Sequence, residues 1–593
     1  MKKNLFTHRP VCRNFSEGRD FNEVASAGRS FIGVGHLILV LILICTIEAS
    51  AQVPSWLWAT SPGGTSSSEA RGNATSTDAG GNVLVTGRFN SPSITFGSTT
   101  LTNGGDFDFF VVKYSPSGNV EWATSAGGLA HDEGSGISTD ANGNVFVTGY
   151  FDSPSITFGT TTLNNAGVRD IFVVKYDSSG NVLWATSAGG TGSDAGYGIT
   201  TDASGNVLVT GSFAIPSITF GNTTLTNAGS LDIFVVKYDA SGNVLWATRA
   251  GGTSSDVGIG ISSDAGGNVA ITGYFYSPSI TFGNTTLTNA SVGQPDIFVV
   301  KYDTSGNMVW ASSAGGTGMD LGIGVSTDAG GNVILTGWFS GSSITFGNST
   351  LISAGSLDIF VAKYDASGNV LWAISAGGTD EEEGGAISTD AAGNVVVTGF
   401  FYSPSITFSN ITLTSAGLAD IFIVKYDASG NVLWATSAGG TDDDDCRGIS
   451  TDAGGNVFVT GIFYSPSITF GSTTLTNTGF IHMFVAKLDN ITGIEEKIKN
   501  DEVRIFPNPF SPDASESTTI SFTFSKTQNV SIKIFDITGR LVNILADEEM
   551  QEGNHRLEWN ARDEKGNAVG TGIYFLRVES ENYSETKKIS LMK

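Results

Sequence analysis

Two acidic runs, T-D-E-E-E at 379–383 and T-D-D-D-D at 441–445, hold the densest concentration of potential ligand atoms in the chain. Clustered carboxylates beside flexible glycines are hard oxygen ligands, a setting that suits Ca²⁺. The expected set is Asp442, Asp443, Asp444 and Asp445 with Glu381, Glu382 and Glu383. Their spacing matches no EF-hand loop, and the affinity expected is about millimolar, as in extracellular modules. Each run is the extreme form of a recurring position. Four residues beyond a Gly-Gly pair stand Asp132, Asp194, Asp256, Asp320, Glu382 and Asp444, with Ser68 breaking the series. Six carboxylates at one repeat position predict a ring on one face. They read either as groups that meet a ligand or as turn carboxylates capping local N–H groups.

Two other recurrent chemistries invite a catalytic reading. Trp58, Trp122, Trp184, Trp246, Trp310, Trp372 and Trp434 occupy one repeat position and offer sugar-stacking faces, but each lies in an apolar strand, which points to packing between repeats. A Lys in F-V-V-K and an Asp in S-T-D recur together seven times, whereas an active site is normally single; Lys237 and its equivalents are expected to be structural, with packed stems and satisfied ammonium groups. The arginines expected of a sialidase-like site are few, Arg71, Arg88, Arg169, Arg249 and Arg447, and occupy different repeat positions. G-x-S-x-G and H-E-x-x-H motifs are missing, and only five histidines occur. A non-enzyme is expected.

The elements that position these residues follow from the repeat. Trp spacings are 64, 62, 62, 64, 62 and 62 residues, and T-D-A-x-G-N-V, S-I-T-F and F-V-[VA]-K type segments recur in step. Within one unit, residues 198–202 and 206–211 read as strands joined by a D-A-S-G-N turn, and residues 232–238 and 243–248 as a second pair joined by the same turn. Residues 217–225 read as a small extra hairpin. The apolar strands without alternation imply burial on both faces, which radially stacked four-stranded sheets provide. The fold class is therefore all-β: a seven-bladed β-propeller at 52–490. The chain begins with the back half of a unit and ends the array with the front half. In a ring, the strand around residues 55–60 pairs beside that at 483–488 and closes the seventh blade, hiding two raw edges.

The recurring G-[IV]-S-T-D-A-x-G-N-V-x-V-T-G, D-I-F-V-[VA]-K-Y-D and W-A-x-S-A-G-G segments resemble the bacterial β-propeller repeat family known as SBBP, over residues 53–489. That family is defined by fold, so the resemblance implies an architecture and no activity.

Composition changes after Asp489. Residues 491–502 are a charged linker, and 503–593 carry about seven short alternating strands, as a small immunoglobulin-like β-sandwich would. P-N-P at 507–509, D-I-T-G-R at 536–540, G-x-Y-F at 572–575 and the basic pair Lys587 and Lys588 resemble the C-terminal sorting domain of type IX secretion cargo. The resemblance implies that residues 503–593 engage the type IX secretion machinery, and that the protein is secreted or held at the cell surface of a Gram-negative bacterium by way of the periplasm. An apolar run at 37–45, too short to span a bilayer, precedes A-S-A at 49–51. Residues 1–51 are therefore expected to be a signal peptide with a long basic region, cleaved between Ala51 and Gln52, leaving no transmembrane span in the mature chain.

Charge agrees with an extracellular destination. Fifty-seven acidic against 31 basic residues give a net charge of −26, which disfavours nucleic acid and anionic lipid. The expected function is a monomeric, non-enzymatic module that binds an extracellular glycan or protein. The alternatives are a structural surface-layer or matrix component and a propeller hydrolase or quinoprotein-like enzyme.

Overall fold

The computed structural model describes residues 54–64, 69–490, 503–506, 508–511, 517–524, 527–551, 553–580 and 583–592. The expected signal peptide with its Ala51–Gln52 cleavage point, and the linker, lie outside the described residues. Among the described residues no helix is long and apolar enough to cross a membrane.

Each repeat folds as an antiparallel four-stranded meander. In the second blade the strands are Asp132–Thr139, Val145–Phe151, Asp170–Tyr176 and Val182–Ala188, and six further sheets repeat this pattern. The third strand, D-I-F-V-V-K-Y, is buried at every residue, as its lack of alternation requires. The S-I-T-F segment forms the extra hairpin, here Ser155–Phe158 paired with Thr161–Asn164, and drives Phe158 against Phe172 at 5.1 Å. Turn chemistry does the reversing. Asp202 Oδ1 accepts from the Ser204 and Asn206 amides at 2.9 and 3.0 Å while Gly205 takes φ 77°.

Two devices bind neighbouring blades. Trp122 Nε1 and Lys113 Nζ converge on one carbonyl in the next blade, Ser178 O, at 3.1 and 3.4 Å; Trp184 and Lys175 do the same to Ala240 O. The indole lies on Gly180, whose φ of 87° and lack of Cβ are both needed, since a Cβ would stand 2.8 Å from the ring. Lys113 also meets Asp78 at 3.0 Å, and the equivalent pairs Lys237–Asp202, Lys301–Asp264, Lys363–Asp328 and Lys425–Asp390 are 2.8–2.9 Å apart and nearly solvent-free. At the axis a chain of hydroxyls links the inner strands. Thr139 donates to Thr77 O, Thr201 to Thr139 O, Ser263 to Thr201 O and Thr327 to Ser263 O, at 2.7–2.9 Å.

The same chain crosses the closure, where Thr77 donates to Thr451 O at 2.8 Å. There the seventh blade takes its outer strand from the start of the array. Trp56–Thr60 pairs antiparallel with His482–Leu488, with Ala59 opposite Ala486 and Thr60 opposite Val485.

The C-terminal segment builds its own core. A three-stranded sheet (Arg504–Phe506, Thr518–Phe524, Gly553–Trp559) and a four-stranded sheet (Leu541–Met550, Gln528–Asp536, Gly572–Ser580, Tyr583–Leu591) enclose Ile520, Ile532, Trp559, Leu576 and Ile589. Asn508 of the P-N-P motif clamps the last strand, donating to Lys588 O at 2.7 Å and accepting from Ser590 N at 2.8 Å.

Candidate functional site

The recurrent carboxylates come first because they frame the loops. Asp132, Asp256, Asp320, Glu382 and Asp444 each begin an inner strand, Asp194 stands immediately before one, and each of the six is 0% exposed. They face the protein. Asp132 accepts from the Gly128 amide at 2.8 Å and the Ser153 hydroxyl at 2.7 Å, stapling the Gly-Gly loop to the loop after the second strand; Asp256 and Asp444 do the same. In the first blade the equivalent residue, opposite Phe89, is Ala70 and not Ser68, because this loop is two residues longer.

Strand alternation divides the two acidic runs. Glu382 and Asp444 point inward to backbone amides while Glu381, Glu383, Asp443 and Asp445 lie to the other side. Among the described residues no three His, Cys, Asp or Glu side chains are grouped to hold a metal ion. The seven Trp side chains sit between blades as described above, on the outer strands.

The buried carboxylates predict a pH dependence. Burial raises Asp132, Asp194 and Asp296 to about 6, Asp444 to about 7 and Asp320 to about 8, with Asp108, Asp170, Asp256 and Asp420 also raised. A carboxyl whose folded pKa exceeds its unfolded value makes the folded state bind more protons, so stability rises as pH falls through this range. Asp78, Asp202, Asp264, Asp328 and Asp390 oppose this. Burial alone would raise them, but their Asn and Lys partners hold them below the usual value, and this stabilisation is lost as pH falls below about 4. The melting temperature is therefore expected to peak at about pH 4 to 5 and to fall steadily toward pH 8. A flat or rising profile from pH 5 to 8 in scanning calorimetry would contradict this.

Residues that differ between the repeats have a different location. Each inner strand carries a bulge at the same place, between Gly72 and Ala74 in the first blade and between Gly196 and Gly198 in the third. A bulge re-aims one side chain, and here the extra residues are Asn73, Ser135, Tyr197, Ile259, Ile323, Gly385 and Arg447, all lining an axial cavity of about 330 Å³. The residues just before the bulge and those across from them on the second strand also vary: Arg71 opposite Arg88, Glu133 opposite Tyr150, Val257 opposite Tyr274, Leu321 opposite Trp338, Glu383 opposite Phe400. The near-identical scaffold thus presents its non-identical residues at one mouth of the channel.

Four of the five propeller arginines meet there, although their repeat positions differ. Arg88 bonds Glu69 at 2.9 Å and Glu133 at 2.6 Å, and Arg71 shares Glu69. His131 Nε2 lies 2.8 Å from Arg88 and 3.0 Å from Glu133, and Asn73 and Tyr150 donate to Glu133 at 2.8 and 2.9 Å. Burial would raise Glu133, but the donors outweigh it and hold the carboxyl at about 2. Arg169 stacks 3.7 Å over Tyr150 and bonds Asp152 through two nitrogens, and Arg447 bonds Asp445 at 2.7 Å. Sequence reasoning missed this mouth because it followed the constant repeat positions. The signal lay in the columns that vary within an otherwise repeated strand.

Comparison with known proteins divides the chain in the same way. Residues 121–152 match the β-propeller repeat family, and residues 504–592 match the family described as secretion system C-terminal sorting domain. The latter marks the chain as type IX cargo, secreted to the cell surface or exterior of a Gram-negative bacterium. Curated relatives include an uncharacterized WD repeat-containing protein of Acanthamoeba polyphaga mimivirus, 26% identical over 62% of this chain and 33% of that protein. Another is the regulatory protein FlaEY of Caulobacter vibrioides, 29% identical over 29% of this chain and 20% of that protein. This chain thus spans a third or less of the relatives' lengths. Among solved structures, PorZ, a surface component of the type IX secretion system of Porphyromonas gingivalis, is similar over 90% of this chain and 100% of that chain, at 12% identity and a TM-score of 0.16.

Proposed function

We propose that the exported propeller is a non-catalytic extracellular binding module whose ligand docks at the bulge-lined mouth of the axial channel. The observation that carries this reading is the placement of the most variable inner-strand position: the bulge residue is Asn, Ser, Tyr, Ile, Ile, Gly and Arg in the seven copies, and all seven line one axial cavity, while the residues repeated around them serve the scaffold. Pairing of Arg71, Arg88, Arg169 and Arg447 with neighbouring carboxylates supports a fixed recognition surface over a reaction centre, since a catalytic acid or base must be free to exchange a proton. Tyr197 and Tyr274 add rigid amphipathic rings of the kind that dominate binding surfaces.

The variant Tyr197→Ser/Tyr274→Ser/Arg447→Ser tests the reading. It is expected to capture at least about tenfold less material from envelope and extracellular polymer fractions than the parent while remaining folded, with a melting temperature somewhat lowered by the loss of the Arg447–Asp445 pair. Equal capture would place the ligand elsewhere.

A further inference from the structure

The mouth is not uniform. Exposed apolar side chains occur in the loops of other blades too, Leu129 and Val168 among them, but over the sixth and seventh blades they are joined by an excess of carboxylates. Tyr402 is 39% exposed, Leu418 54% and Phe480 62%. These residues form one continuous patch with the acidic runs: the Tyr402 amide donates to Glu381 O at 2.8 Å, the Tyr464 amide to Asp443 O at 2.9 Å, and Tyr464 packs edge-on against Phe480 at 5.7 Å. Leu418 precedes Ala419, whose carbonyl accepts from the Asp444 amide at 2.9 Å and so holds this loop to the acidic run of the seventh blade. The turns on the opposite face, of the D-A-S-G-N type, expose no large apolar side chain among the described propeller residues.

Charge decides what such a patch accepts. Elsewhere around the mouth the arginines and carboxylates neutralise one another. Here Glu381, Glu383 and Asp443 outnumber the available cations, because the nearest arginine, Arg447, is bonded to Asp445. Glu383 shows the imbalance: burial first, and then repulsion from Asp445 and Glu381, lift its carboxyl to about 7 against the weaker pull of Arg447. A cation on this patch would relieve that repulsion and lie against the faces of Tyr402 and Tyr464.

We infer that this sector, on the reading of the mouth as the ligand site, docks a partner protein through a segment that alternates Lys or Arg with apolar residues. The apolar residues of the segment cover Leu418 and Phe480, and its cations reach Glu381, Glu383 and Asp443. Affinity then falls with ionic strength because the carboxylates lie at a solvent-facing rim.

The test uses the full chain and three probes: a synthetic Lys/Leu peptide, a Glu/Leu peptide of the same pattern, and a neutral oligosaccharide array. Binding of the Lys/Leu peptide is expected to weaken about tenfold in Glu381→Gln/Glu383→Gln/Asp443→Asn, equivalent to about 1.4 kcal/mol. It should be unchanged in Glu121→Gln/Asp365→Asn/Asp427→Asn, which removes as many charges at sites away from the mouth. Equal weakening in both variants would mean attraction to the overall negative charge and would overturn the inference. Preference for the Glu/Leu peptide or an oligosaccharide, lost in Tyr197→Ser/Tyr274→Ser/Arg447→Ser, would also overturn it while leaving the mouth as the binding site. If no probe distinguishes any mouth variant from the parent, both the inference and the reading it rests on fail.

Discussion

Removing residues 53–60 lowers the melting temperature by about 5–10 °C and makes the protein prone to association, far beyond the effect of an eight-residue deletion in a surface loop. This segment supplies the outer strand of the seventh blade. Trp56 packs edge-on against Phe470 at 4.8 Å, and Trp58 packs near Phe458 and Tyr114 at 6.2 and 6.4 Å. Trp58 Nε1 also donates to Pro116 O at 3.0 Å, so the strand pins the first blade as well as completing the seventh. Burying roughly half of two indole side chains contributes about 5 kcal/mol, comparable to the net stability of many domains. The exposed edge of His482–Leu488 would then be a template for another chain. Coincident melting curves for the parent and the deletion would show that the ring does not depend on this strand.

Deleting residues 503–593 is expected to leave a folded propeller that accumulates in the periplasm, with the extracellular fraction falling to background. The sorting-domain match ends at residue 592, and the terminal strand Tyr583–Leu591 is integral to its four-stranded sheet. The hydrophobic core of this segment draws only on its own residues, from Val503 to Leu591, so the propeller cores lose nothing on its removal. Wild-type amounts of the truncated protein outside the cell would contradict the assignment of this segment as the export address. Unfolding of the truncated protein would contradict the independence of the two cores.

The sequence made the architecture readable because the repeat supplied seven observations of each strand and turn. The half-units at either end predicted the closing pair, and the structure sets Ala59 opposite Ala486 as closure requires. In the C-terminal sandwich the expected seven or so strands are present, although Leu541–Met550 ends in a run of charges with little alternation to mark it. The candidate site was less legible. Asp132 and its equivalents stand out in sequence but are consumed by backbone amides, whereas Asn73, Tyr197 and Arg447 share nothing that a motif search would link. Their common property is geometric. One bulge per inner strand turns a residue toward the axis, and a bulge leaves no mark in sequence beyond a break in strict alternation.

The same bulges make the central claim measurable. Amide hydrogen exchange of the secreted protein, with and without the envelope material it captures, is the most direct measurement. Binding at the mouth predicts added protection in the segments 71–74, 133–136 and 445–448 and in the facing ends of the second strands, with the turns of the opposite face unchanged. Protection confined to those turns or to the outer strands, with the inner-strand bulges unaffected, would contradict the account.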